Sequence, residues 1–352
     1  MSQGRIPVAI LGATGTVGQK LVRRLADHPW FEVRHLAASP ASVGRRYRDL
    51  VRWREATPLP DAIGDLVLAP SDVPEPFRIV FSALDTETAE TVEPRWAANG
   101  SVVITNASPY RLATDVPLII PEVNADHLAM LAYQRRQRGW ACGIVANPNC
   151  TTTGLALVLA PLHRTWGVER LFVSTMQAIS GAGWPGVSSL DLVGNVVPFI
   201  ANEEEKVERE TVKLLGRVNG AGVKDAPIAV SAHTNRVPVI DGHLETVSVA
   251  LAGRPSPAEV ASVLAAWRAP EDVRSLPTSP DQPLFVAAEA DRPQPRLDLE
   301  RGNGMTVSIG RIRSCPVLDI RLVLLSHNTV RGAAGAAIQN AELVVSRGGL
   351  NR

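Results

Sequence analysis

Apolar residues fall in short runs along the first 150 positions, and several of these runs lead into stretches with helical periodicity. Residues 6–11 read as a buried strand, and a helix follows from Thr16 to about Asp27 with Val17, Leu21, Val22 and Leu25 on its apolar face. Residues 31–38 read as a second strand, with 78–82, 101–105 and 143–146 as further candidates. Strands alternating with helices predict a parallel, doubly wound sheet.

Beyond Cys150 the pattern changes. Leu155, Val158, Leu159 and Leu162 stand at i, i+3, i+4 and i+7, one side of a helix, and Pro161 is expected to bend that helix or end it early. Runs at 171–178, 228–231, 244–250, 305–313 and 318–325 read as strands. Several alternate with polar residues, which predicts an antiparallel or mixed sheet covered on one face. Asn202 reads as an N-cap with Glu205 completing a capping box. The helix it opens runs to about Leu215, with Gly216 as its stop and Val207, Thr211 and Leu214 facing inward. Residues 270–295, rich in proline and acidic groups, read as a surface excursion, and 331–345 as an Ala-rich helix. A domain boundary is expected near residue 150, between an α/β half and an α+β half.

Composition narrows the function classes. The chain has 352 residues, 45% hydrophobic and 20% charged, which fits a soluble globular protein of two domains. A net charge of +1 leaves no basic excess for nucleic acid, and no apolar run is long enough to span a membrane. The N-terminus leads straight into an apolar strand rather than a signal peptide. Cys142, Cys150 and Cys315 form no ligand-spaced pair, so no metal site or disulfide framework is expected, and a reducing cytoplasm fits.

Candidate chemistry gathers at three places. Gly12-Ala13-Thr14-Gly15-Thr16-Val17-Gly18 sits between a strand and a helix, where glycines let a pyrophosphate approach the backbone and the helix start supplies N–H groups. The second strand ends in Ser39, Ser42, Arg45, Arg46 and Arg48 with no carboxylate for a ribose hydroxyl. Those residues read either as a site for a 2′-phosphate, hence NADP(H), or as a solvated basic face. Asn147-Pro148-Asn149-Cys150 places a thiol at a helix N-terminus, where the dipole favours thiolate and the N–H groups can meet an oxyanion. Downstream, Arg236 can grip a carboxylate bidentately, and His243, after an Asp-Gly turn, can take a proton from a thiol. The other histidines lack this context and read as structural or exposed. Gln177 reads as a carbonyl-orienting amide or a satisfied buried one, and Glu203 with Lys206 as ligand clamps or a solvated pair.

At this point the chain resembles the aspartate-semialdehyde dehydrogenases of the archaeal and fungal branch. The matching stretches are 12–18, 39–47, 106–111, 120–124, 147–153, 176–183, 194–206, 236–243 and 325–335, which together extend over nearly the whole chain. The resemblance implies a Rossmann domain over 1–149, completed by a C-terminal helix at about 327–352. A catalytic and dimerisation domain like that of glyceraldehyde-3-phosphate dehydrogenase is implied over 150–326. It also implies NADPH-dependent reduction of L-aspartyl-4-phosphate to L-aspartate 4-semialdehyde by a homodimer or homotetramer. This step supplies lysine, threonine, methionine and diaminopimelate. Carried onto this sequence, Cys150 resembles the acyl-thioester nucleophile, His243 the acid/base and Gln177 the orienting residue. Arg236 would hold the substrate α-carboxylate, Glu203 its amino group, and Arg111 and Lys206 the phosphate, with Asn149 nearby. Ser180, Gly183, Asn328 and Thr329 would reach the cofactor. A paralogue acting on another activated acyl group would keep Cys150 and His243 but change these clamps, and a non-catalytic NADP-binding sensor would need neither.

Overall fold

The structure is a computed structural model that describes residues 4–220 and 222–350. Its first half is built on a six-stranded, all-parallel sheet in the order β3-β2-β1-β4-β5-β6. The strands are β1 (Ile6–Leu11), β2 (Phe31–Ala38), β3 (Ala69–Pro70), β4 (Ile79–Ser82), β5 (Val102–Thr105) and β6 (Gly143–Ala146). The central strands are buried on both faces, which explains why they read as unbroken apolar runs. Helix α1 (Thr16–Leu25) follows β1 directly, and α2 (Thr86–Ala98) and α3 (Met130–Arg138) complete the crossovers.

The second half wraps a mixed sheet around α4 (Cys150–Trp166). Its strands are β7 (Val168–Gln177), β8 (Ala229–Arg236), β9 (His243–Leu251), β10 (Leu284–Val286), β11 (Val307–Ser314) and β12 (Ile320–Ser326), ordered β8-β7-β9-β12-β11-β10. Helix α5 (Glu203–Leu214) packs on the edge strand β8. There Glu208 Oε1 accepts the Ala232 N–H at 3.0 Å and Glu204 Oε1 the Thr234 N–H at 2.9 Å, so carboxylates cover what would be an open sheet edge. Helix α6 (Pro257–Ala266) lies between β9 and β10, and α7 (Gly335–Ser346) follows β12 and returns to the first sheet.

Three local expectations are corrected. Pro161 does not end α4, which continues to Trp166. Leu155, Leu157, Leu159 and Leu162 are fully buried, and at about 1.5–3 kcal/mol each their burial outweighs the roughly 3 kcal/mol a helix-interior proline costs. Asn202 is not a capping box: it adopts φ 57° and its side chain makes no cap bond. A full capping box stands instead at Ser256 and Glu259, where α6 begins. Residues 270–295 are also more than surface. Val273 and Leu276 enter the core beside α7, and β10 joins the second sheet inside this stretch. Thr278 donates its N–H and hydroxyl to Glu342, which also pairs with His28 at 2.7 Å.

Between β12 and α7 the chain forms one π turn, Val330–Ala334. The fully buried Arg331 fixes it with a bidentate pair to Glu122, 2.8 and 2.7 Å, and Gln339 donates to the same carboxylate at 2.8 Å. Removing one partner of such a pair strands a buried charge and costs about 3–5 kcal/mol. Arg331→Met is therefore expected to lower the unfolding free energy from urea titration by that amount, shifting the midpoint down, with Glu122→Gln added to Arg331→Met recovering part of the loss. An unchanged midpoint for Arg331→Met would remove the pair's role in holding this turn.

Candidate active site

The cysteine is delivered by the end of one sheet and the start of one helix. After β6, the Asn147 N–H bonds Thr105 O at 2.8 Å, and its side-chain oxygen accepts from Asn340 at 2.6 Å. Asn149 is the N-cap of α4. Its Oδ1 accepts the Thr151 and Thr152 N–H groups at 2.9 and 3.2 Å, its Nδ2 donates to Glu203 at 2.8 Å, and its own N–H donates to Glu210 at 2.6 Å. Cys150 follows as the first helical residue. Gly332 of the π turn packs against it so closely that a Cβ there would lie 2.6 Å from the Cys150 Cβ.

His243 opens β9 after Gly242, whose φ of 99° makes the turn and whose N–H is held by Asn328 Oδ1 at 2.8 Å. The ring is fully buried behind the sulfur, with Nε2 at 3.3 Å from Sγ and Nδ1 accepting the Ala178 N–H at 3.1 Å. Burial, then the Arg236 guanidinium and His327, depress the imidazole to about 3, so it is neutral near pH 7. The thiol is displaced upward. Burial and the Glu203 carboxylate push Cys150 up to about 12, against the opposite pull of Arg111, Arg236 and the Thr151 N–H. The helix N-terminus pulls toward thiolate as expected, but burial and a neighbouring carboxylate outweigh that pull. Of the first-turn N–H groups, those of Thr151 and Thr152 are already held by Asn149 Oδ1.

Around this pair lies a cleft of about 800 Å³. It brings together Arg111, Asn149, Cys150, Gln177, Glu203, Lys206 and Arg236 with Thr14, Gly15, Thr16, Val17, Ser180, Gly183, Asn328 and Thr329. Arg236, at the end of β8, donates to Ala178 O at 2.7 Å. Glu203 accepts from Gln177 at 3.2 Å and lies 3.9 Å from the Lys206 ammonium. Arg111 donates to Glu210 at 3.1 Å and to Asn106 O at 2.6 Å, while its Nε is buried without a partner. Gly12 and Gly18 lie beneath the loop. A Cβ on Gly12 would meet Ala83 O at 2.5 Å, and one on Gly18 would meet Gly12 O at 2.3 Å. Gly15 caps α1 without a side chain, so the helix start stays open to the cleft. Ser39, Ser42 and Arg45 stand apart from the cleft lining, just beyond β2. The two hydroxyls are 3.4 Å apart, and Arg45 reaches back to Asp49 O. Arg48 turns away to pair with Asp61 and Asp65.

Several contributors were not anticipated. Glu210, fully buried, fastens both Arg111 and Asn149. Its signal was a carboxylate on the inward stripe of α5, two turns after Glu203. Lys213 donates to the carbonyls of residues 111, 113 and 116, which fixes the loop carrying Arg111. Arg54 stacks 3.7 Å over Trp184 at the cleft rim, a contact between the halves that no local pattern announces.

Residues 7–131 match the semialdehyde dehydrogenase NAD binding domain, and residues 159–331 the semialdehyde dehydrogenase dimerisation domain. The aspartate-semialdehyde dehydrogenase of Archaeoglobus fulgidus is 49% identical over 342 residues, spanning 97% of this chain and 98% of the relative. The chain belongs to the aspartate-semialdehyde dehydrogenase family. It is an oxidoreductase of that family with the family's two-part fold. The Schizosaccharomyces pombe enzyme is 45% identical over 97% of this chain and 98% of its own length. The crystal structure of the Candida albicans enzyme with NADP superposes with a TM-score of 0.90 at 39% identity, covering 97% of this chain and 99% of that one. Aspartate semialdehyde dehydrogenase II of Vibrio cholerae, complexed with ASA, gives 0.77 at 28% identity over the same shares.

The displaced thiol has a direct consequence. In the substrate-free enzyme, alkylation of Cys150 by iodoacetamide is expected to climb about tenfold per pH unit through pH 9 and 10, as thiolate forms. A plateau near the ordinary thiol value of about 8.5 would show that Glu203 and burial do not control it.

Proposed function

We propose that the protein reduces L-aspartyl-4-phosphate to L-aspartate 4-semialdehyde with NADPH, releasing phosphate, through a thioester on Cys150. The observation that carries this reading is the cleft itself: a thiol 3.3 Å from an imidazole, ringed by Arg236, Glu203, Lys206 and Arg111. A substrate with a carboxylate, an ammonium and a phosphate requires clamps of both signs, and a paralogue acting on an acyl-CoA would not. Arg236 takes the α-carboxylate, Glu203 the amino group, and Arg111 and Lys206 the phosphate, with Asn149 and Gln177 orienting the acyl carbon above the sulfur.

The fit of a dinucleotide is supported by the glycine loop, where side chains at Gly12 and Gly18 would collide with backbone and the start of α1 is left open. Gly12, Thr14, Gly15, Thr16, Val17 and Gly18 would hold the pyrophosphate, and Ser180, Gly183, Asn328 and Thr329 the nicotinamide end. Ser39, Ser42 and Arg45 would take a ribose 2′-phosphate, consistent with NADP in the Candida albicans relative. When bound, the cofactor supplies the hydride. Residues 1–149 with 327–352 form the cofactor half, and 150–326 the catalytic and dimerisation half. A homodimer or homotetramer is supported by the matched dimerisation domain and by the second sheet, whose outer face exposes Phe172 at 43%. We assign the enzyme to the cytoplasm, in the synthesis of lysine, threonine, methionine and diaminopimelate.

NADP reduction with L-aspartate semialdehyde is expected to depend on added phosphate, and a parallel malonyl-CoA reduction assay is expected to stay silent. Phosphate-independent turnover, or use of the thioester, would overturn the substrate assignment. Cys150→Ser should abolish turnover while NADPH binding persists; near-normal activity would defeat the thioester. KM for NADPH should lie well below KM for NADH, and equal values would end the argument from Ser39, Ser42 and Arg45.

A further inference from the structure

The side chains that the second sheet supplies to the site stand in one row across it. Arg236 of β8 is in register with Gln177 of β7, and His243 of β9 with Ser326 of β12. Two residues deeper in each strand, on the same face, comes a second row of Thr234, Thr175, Glu245 and Leu324. A third row brings Ala232, Val173, Val247 and Leu322. The third is wholly apolar, so the second lies between the site and the hydrophobic core.

The polar members of that second row are buried and poorly served. Thr234, Thr175 and Glu245 are all shielded from solvent. Among the described residues, neither carboxyl oxygen of Glu245 nor the Thr234 hydroxyl has a protein hydrogen-bond partner, and the Ser326 hydroxyl in the first row has none either. Interior polar groups gathered in this way are ordinarily bridged by ordered water. Burial, then the Glu203 carboxylate, raises Glu245 well above the usual carboxylate range. With no cation beside it, Glu245 is a neutral acid, offering one O–H to donate and one carbonyl to accept.

Gln177 links this row to the cleft. Its Nε2 donates to Thr175 Oγ1 at 3.3 Å and to Glu203 Oε1 at 3.2 Å, and the same Glu203 oxygen receives Asn149 Nδ2 at 2.8 Å. A hydroxyl can donate as well as accept, so Thr175 alone does not choose which end of the amide faces it. The choice is made by where the Thr175 proton goes. The residue directly opposite Thr175 on the neighbouring antiparallel strand is Glu245.

We propose that Glu245 is a positioning residue for the amino end of the substrate: through ordered water it accepts from the Thr175 hydroxyl, which leaves Thr175 an acceptor and holds Gln177 with Nε2 on Glu203 and its amide oxygen left for the ligand. This rests on the substrate reading above and adds a residue to it. A reversed amide would turn its oxygen against the Glu203 carboxylate. An ionised Glu245 would set a second anion beside Glu203. A neutral acid orders the amide and leaves Glu203 as the anion that meets the ammonium.

Glu245→Met keeps the bulk and removes the acceptor, and Thr175→Val removes the hydroxyl and keeps the shape. Each is expected to raise KM for L-aspartate semialdehyde about tenfold, the scale of one hydrogen bond at a charged group, with KM for NADP unchanged. The double variant should be no worse than the poorer single one, because both break the same chain. Glu245→Gln, which still donates and accepts, should recover most of the loss. Infrared difference spectra of wild type against Glu245→Gln near pH 7 should show the carbonyl stretch of an un-ionised carboxylic acid. The proposal is overturned by single losses that multiply to about a hundredfold in the double variant. It is equally overturned by Glu245→Gln as poor as Glu245→Met, by KM for NADP rising in step, or by carboxylate bands in the infrared. Should Glu245→Met not fold, Thr175→Val and the infrared band decide. Wild-type enzyme inert toward L-aspartate semialdehyde would sink the substrate reading and this role with it, whereas the other adverse results leave that reading intact.

Discussion

Asn149 ties the molecule together at one point. Its side-chain oxygen caps α4, its side-chain nitrogen reaches Glu203, and its backbone N–H reaches Glu210. One residue thereby joins the end of β6, the start of α4 and the inner face of α5. Capping bonds of this kind contribute about 0.5–2 kcal/mol, and those to carboxylates are stronger than neutral ones. The geometric effect exceeds the energetic one. Cys150 is the next residue, so its sulfur is aimed by these bonds, and a shift of about 1 Å at a reacting atom can cost about a hundredfold in rate.

The electrostatics around that sulfur follow a consistent plan. The two reactive groups are neutral, the imidazole fully buried and the thiol half-buried at the cleft floor, and the charges stand around them in opposed pairs. Glu203 faces Lys206, and Glu210 faces Arg111. Arg236 balances the site from the β8 side while holding the Ala178 carbonyl. A neutral centre inside a charged ring lets polar substrate groups exchange partners with the ring, while the groups that react are perturbed only when the acyl carbon arrives.

The glycine loop and Cys150 were legible because each is written in a few adjacent residues: a turn needing positive φ at Gly12, and a helix starting at a strand end. The parallel sheet was legible for the same reason, its strands being continuous apolar runs. What was hidden depended on partners distant in sequence. Pro161 survives inside α4 because the second sheet packs on that helix and buries its leucines, and Asn202 fails as a cap because the turn before α5 holds it left-handed. Val273 and Leu276 look like surface until α7, some sixty residues later, covers them. The state of the thiol was only half legible: a helix start argues for thiolate, whereas burial and Glu203, fifty-three positions away, argue against it.

The order in which the site closes follows from Gly332. This glycine forms the floor under Cys150, and the segment around it is fastened by Arg331 to Glu122 and by Asn340 to Asn147. All of it is synthesised after every other part of the cleft. A growing chain on the ribosome therefore carries its sulfur without a floor, and without the Asn328 contact that seats the turn before His243. The cysteine and histidine are in place in the sequence long before the residues at 328–340 that seat them.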